Sequence, residues 1–87
     1  MHPIKILVVD ADPVTRSLMC KRLSREEYQV ETAESGVDAI RMLSQTCYDV
    51  VLTDLMMPGG VDGICVLETA KESNIKTLEW TLNHRSA

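Results

Sequence analysis

The sequence predicts a doubly wound α/β domain, a parallel sheet with helices on both faces, and three observations predict it. A nearly unbroken aliphatic run, 4–9, and a second strand segment, 48–53, centred on Val50, Val51 and Leu52, read as buried strands, and each stops at an aspartate. Between and after them lie stretches in which apolar residues recur at three- and four-residue spacing, the period of a helix. The order of elements is strand, helix, strand, helix, strand, helix with short connections, which forces parallel strands and right-handed crossovers. In such sheets the functional crevice lies at the carboxyl ends of the strands, near the point where strand order reverses. Asp10 and Asp54 both stand at such ends.

Each element has its own signal. Ile4, Ile6, Leu7, Val8 and Val9 make the first strand, and Asp12 followed by Pro13 supplies a helix N-cap with proline at the first helical position. Val14, Leu18 and Leu23, with Met19, predict an apolar stripe on a first helix through Ser24. Residues 28–33 alternate, Val30 and Thr32 against Gln29 and Glu31, as expected of a short strand nearer the sheet edge. Ser35 with Asp38 three residues on is a capping-box pattern, and Val37, Ile40, Leu43 and Cys47 follow at helical spacing. The second apolar strand, 48–53, ends at Asp54. Pro58, Gly59 and Gly60 break the chain before Asp62 caps a third helix carrying Ile64, Leu67 and Ala70 or Lys71. Beyond Asn74 the pattern deteriorates: 75–82 fits a half-buried strand with Leu78, Trp80 and Leu82 on one side, or equally a short helix. Residues 84–87 have the composition of a frayed tail.

Composition narrows the function. With 87 residues, 45% hydrophobic and 25% charged, residues 1–87 suffice for one core and are too few for two domains. Thirteen acidic against nine basic side chains, a net charge of −4 with the basic residues scattered, argue against direct nucleic-acid binding. Cys20, Cys47 and Cys65 lack CxxC spacing and read as small core residues of a reducing cytoplasm. Segment 4–9 is too short for a signal core or a membrane span, so a soluble, cytoplasmic protein is expected.

Folding would bring Asp10 and Asp54 together at one edge of the sheet. Adjacent carboxylates repel, and a bound hard cation relieves the repulsion; Mg²⁺ prefers oxygen ligands and often bridges one or two carboxylates to a phosphate. With the charge neutralised, Asp54 could attack phosphorus in line and form an acyl phosphate. The plainer explanation of strand-end aspartates is helix capping. It fits Asp12, which precedes Pro13, better than Asp10 or Asp54. Met56, Met57 and Val61 read as packing residues, Thr53 as a strand residue, and His2 and His84 lie in the tails.

Four motifs stand in order: Ile6, Leu7, Val8, Val9 and Asp10; Thr32, Ala33, Glu34, Ser35 and Gly36; the run 49–59 through Asp54 and Pro58; and Asp62 with Gly63. Over residues 4 to about 73 the sequence resembles the response-regulator receiver family of two-component signalling, the chemotaxis-regulator kind. The resemblance implies a flavodoxin-like receiver fold, incomplete at the C-terminus, with 75–87 an atypical C-terminal segment. It implies that Asp54 is the phosphoacceptor, that Asp10 helps hold Mg²⁺, and that the backbone carbonyl of Met56 is a metal ligand. Pro58 and Gly59 would shape the loop beside it. The donor would be a histidine kinase or a histidine phosphotransfer protein, and any catalysis would be limited to the domain's own phosphorylation and dephosphorylation.

The sequence departs from the family pattern in three places. Ala11 stands where the family carries the second residue of an acidic pair, and Asp12 is a further candidate ligand whose capping duty competes. One extra residue lengthens the loop at Gly59, Gly60 and Val61. The family's later strand ending in a phosphate-binding Lys has no counterpart, since no Lys follows Lys76, and Thr81 and Ser86 are poor matches for its switch hydroxyl. A partial sheet would expose an unpaired edge at the third strand or at 75–82, with apolar surface beside it, which predicts a homodimer, with exchanged segments as one form. Two other readings stay open. One is a receiver-like interaction module with weak or no phosphorylation. The other takes Asp10, Ala11 and Asp12 as the DxD motif of a haloacid-dehalogenase-like phosphatase, with Asp10 as nucleophile and Asp12 as general acid.

Overall fold

A computed structural model describes residues 3–54, 63–72 and 75–80. The elements follow the predicted order and add a fourth strand: β1 (Lys5–Val9), α1 (Pro13–Ser24), β2 (Gln29–Ala33), α2 (Gly36–Gln45), β3 (Val50–Asp54), α3 (Gly63–Glu72) and β4 (Lys76–Trp80). All pairings are parallel, in the order β2-β1-β3-β4. The chain therefore runs outward from β1 to β2, returns across it to β3, and continues outward to β4. The reversal falls between β1 and β3, where an open α/β sheet places its crevice.

Strand pleating assigns the two faces. Leu7, Val9 and Val51 join Ala39 and Leu43 of α2 and Val66 and Ala70 of α3 in one buried cluster that also takes in Ala33 and Tyr48. Removing each of the fully buried Leu7, Val9, Val51 and Val66 from water favours folding by about 1.5–3 kcal/mol. Ile6 and Val8 point to the opposite face, which α1 covers. That cover is partial. Ile4, Ile6, Leu23, Tyr28, Val50 and Leu52 line an apolar groove of about 260 Å³ beside α1.

The caps form as their residues dictate. Asp12 accepts from the Val14 N–H (3.1 Å) and the Thr15 hydroxyl (2.9 Å), and Ser35 Oγ accepts from the Asp38 N–H (3.1 Å). The Asp38 carboxylate turns to Arg41 (3.0 Å), so the capping box closes on one side. At the end of α1 the chain turns through Glu27, whose φ of 67° is left-handed.

Two expectations need correction, and two alternatives left open are decided. Val14 and Leu18, placed on the buried stripe of α1, are 63% and 62% exposed; Met19 and Leu23 of that stripe are half-buried, joined by Thr15, Arg16 and Cys20. Val37 is likewise exposed, and Cys47 lies past the end of α2 at the surface, so neither belongs to an inward stripe. Lys71 is exposed, and it is Leu67 and Ala70, with Val66, that α3 buries. The undecided segment 75–82 contributes a strand at Lys76–Trp80, because parallel pairing with β3 satisfies a backbone that its weak periodicity left open. β3 is consequently an interior strand and β4 the sheet edge.

Candidate functional site

The site is built by register. Val8 pairs with Leu52 and Val9 with Thr53 across neighbouring parallel strands, so the next residues, Asp10 and Asp54, stand level and on the same face. Adjacent strands lie about 4.8 Å apart, which is close for two carboxylates. Both are buried, Asp10 at 2% exposure and Asp54 at 8%. The sheet itself, two apolar strands driven together by their side chains, carries the charges to this edge.

The turn after β1 is held at several points. Asp10 donates its N–H to the Ala33 carbonyl (3.1 Å), its carbonyl accepts from Arg16 Nη1 (2.7 Å), and its Oδ1 accepts from the Asp12 N–H (2.8 Å). Asp12 is two residues beyond, and both of its carboxylate oxygens serve the cap of α1. Thr53 is fully buried and donates its hydroxyl to the Asp54 carbonyl (3.1 Å), a local bond that fits a strand residue. Arg16, Glu34, Asp38 and Arg41 surround an open cavity of about 230 Å³ on the β2 side of this edge. Met56, Pro58, Gly59, Asp62, Thr81 and Ser86 fall outside the described residues. Trp80, the residue level with Asp54 on β4, leads directly into Thr81.

Arg16 was not legible as a site residue. A cation in the first turns of a helix opposes the helix dipole and calls for a tertiary partner, and that is the one signal the sequence held.

The donor set suits a hard cation: two buried carboxylates at the ends of neighbouring strands. Among the described residues no group of three or more His, Cys, Asp or Glu side chains is placed to hold a metal by itself. Ala11, between Asp10 and Asp12, supplies no side-chain oxygen.

A strand-end aspartate pair at the reversal of a parallel sheet is a geometry many α/β proteins could approach, and comparison decides among them. The family model for the response regulator receiver domain matches residues 6–84. The chain belongs to the receiver family. Over 68 residues, 78% of its length, this receiver is 46% identical to the transcriptional regulatory protein ResD of Bacillus subtilis. Over 58 residues it is 47% identical to the sensor histidine kinase RcsC of Salmonella typhimurium. It spans 28% of the first protein and 6% of the second. Among solved structures it is similar to the response regulator TrrA of Thermotoga maritima in complex with Mg²⁺ and BeF, with a TM-score of 0.81 at 34% identity, over 95% of this receiver and 75% of that chain. The receiver is thus a domain of two-component systems with the flavodoxin-like fold. Among its described residues no helix is long and apolar enough to cross a membrane.

Proposed function

We propose that the protein is a phosphoacceptor switch in which Asp54 takes a phosphoryl group from a phosphohistidine of a histidine kinase or histidine phosphotransfer protein. The level, same-face placement of Asp10 and Asp54 at the buried carboxyl edge carries this reading. A carboxylate oxygen of Asp54 attacks phosphorus, the bond from phosphorus to the donor imidazole nitrogen breaks, and that nitrogen keeps the electron pair and is protonated. The product is an acyl phosphate on Asp54. Bound Mg²⁺ would neutralise the phosphoryl oxygens, held by Asp10, Asp54 and the carbonyl of Met56. Asp10 presents its carboxylate from a turn fixed by Ala33, Arg16 and the Asp12 amide.

A second reading, a receiver-like interaction module that is phosphorylated weakly, is favoured by one observation. Ala11 offers no carboxylate and Asp12 is committed to its cap, so the metal would have few acidic ligands. The same cap weighs against Asp12 as a general acid in a DxD phosphatase. Self-association is part of the proposal. The apolar groove beside α1 and the edge strand β4 are the surfaces a second copy would cover, and gel filtration against the 9.7 kDa monomer mass tests it.

Intact mass and peptide mapping after incubation with Mg²⁺ and acetyl phosphate, beside Asp54→Ala, test the whole. One phosphoryl group on Asp54, absent in the variant, supports the switch. Label on Asp10 would move the phosphatase reading to first place, and no label on a folded protein leaves the interaction module.

A further inference from the structure

We infer that Arg16 is a positioning residue for the metal site, acting through the peptide of Asp10. The inference rests on the phosphoacceptor reading for its metal arm and on the structure alone for its loop arm. Arg16 Nη1 lies 2.7 Å from the Asp10 carbonyl oxygen, six residues back in the chain, in a part-buried setting. A hydrogen bond from a guanidinium is shorter and roughly twice as strong as one between neutral groups, and its part-buried setting lessens competition from water. It ties α1 to the last peptide before the turn.

That peptide controls where the Asp10 carboxylate sits. Asp10 N–H is held by Ala33 on β2 and its carbonyl by Arg16 on α1, so the residue is anchored on both sides of its Cα. Downstream, the Asp12 N–H donates to Asp10 Oδ1 at 2.8 Å, a bond that exists only while the turn holds its shape. With Ala11 contributing no oxygen and Asp12 engaged by Val14 and Thr15, Asp10 is the acid of this turn on which metal binding depends. A small rotation at one ligand therefore costs this site more than it would a site with a full acidic pair. The first turns of α1 are an unfavourable place for a cation, so the placement of Arg16 is held against the helix dipole by this contact.

The test uses the full chain with Arg16→Ala, Arg16→Lys and Arg22→Ala. Arg22 is exposed on the same helix and removes the same charge away from the turn. In metal-free protein, exchange of the Asp12 amide hydrogen followed by NMR is expected to quicken about tenfold in Arg16→Ala and to stay unchanged in Arg22→Ala. In Mg²⁺ titrations read by calorimetry, Arg16→Ala is expected to weaken binding by about 10–100-fold, the usual loss when a partner orienting a metal ligand is removed. Arg16→Lys, which keeps one donor, is expected to recover most of both effects; should Arg16→Ala fail to fold, the Lys variant against Arg22→Ala carries the comparison. Unchanged Asp12 exchange in a folded Arg16→Ala protein would overturn the inference, as would equal weakening by Arg22→Ala, which would mark a general charge effect. If the wild-type protein itself shows no Mg²⁺ affinity, the phosphoacceptor reading fails, while the exchange arm still decides whether Arg16 sets the turn.

Discussion

Asp10 and Asp54 stand level on neighbouring parallel strands, one step past the Val9 and Thr53 pair, and both are almost wholly buried. In the proposed Mg²⁺ site, two like charges so placed would repel without the metal and be relieved by the cation. Asp10→Asn should therefore raise the melting temperature without Mg²⁺, by removing the repulsion, and cut the further rise that Mg²⁺ produces. Thermal melts with and without 10 mM-scale Mg²⁺ check both signs; equal Mg²⁺ shifts in the two proteins would refute the pairing as a metal site.

Restoring an acid beside Asp10 tests the cost of the missing one. Ala11 is exposed and adjoins the turn, so Ala11→Asp places a third carboxylate without disturbing the core. Mg²⁺ affinity is expected to rise about tenfold, with faster labelling by acetyl phosphate, because affinity for a hard cation follows ligand charge. Calorimetry and intact mass measure the two effects.

Asp12 separates capping from metal binding. Asp12→Ala removes the acceptor of the Val14 N–H and the Thr15 hydroxyl, and should lower stability by about 1 kcal/mol. Asp12→Ser keeps a cap and recovers most of that loss. If Asp12→Ser binds Mg²⁺ as the parent does, Asp12 is a cap alone.

Tyr48 gives a pH signature far from the site. Burial, with the hydrogen bond and charge of Glu31 added to it, pushes its hydroxyl up to about 12. Its proton stays on in the folded chain at a pH where the unfolded chain has lost it. The stabilisation is complete below pH 10 and is lost as pH rises from 10 toward 12. Partial exposure of Glu31 screens the effect, so the loss is about 1–2 kcal/mol, below the ideal for such a shift. Denaturant unfolding between pH 9 and 12 should show the slope, and Tyr48→Phe should abolish it.

Glu27 occupies left-handed backbone at the turn from α1 to β2. Glu27→Asn, which tolerates that conformation, should add about 0.5–1 kcal/mol to stability in urea unfolding.

What the sequence disclosed follows from which forces were local. The buried strands, the caps at Asp12 and Ser35 and the two strand-end aspartates depend on composition and spacing within a few residues, and these were readable. Val14, Leu18 and Val37 were misplaced because an apolar residue at helical spacing says which residues share a stripe and not whether anything covers that stripe. β4 was ambiguous because its strand character comes from β3, its partner. The Arg16 bond to the Asp10 carbonyl was hidden for a related reason: a side chain reaching a backbone oxygen leaves no residue-type pattern at the accepting end. The cluster in which Lys5 lies 5.4 Å over the Tyr48 ring and 3.5 Å from Glu31 is assembled across three strands or their ends, and no short-range motif encodes it.

The aliphatic side chains left uncovered beside α1 also carry a calorimetric signature. Heat capacity follows the apolar surface given to water, and Ile4, Val14 and Leu18 are hydrated in the folded monomer. Covering them by association would carry a negative heat-capacity change, the sign by which burial of this face is recognised.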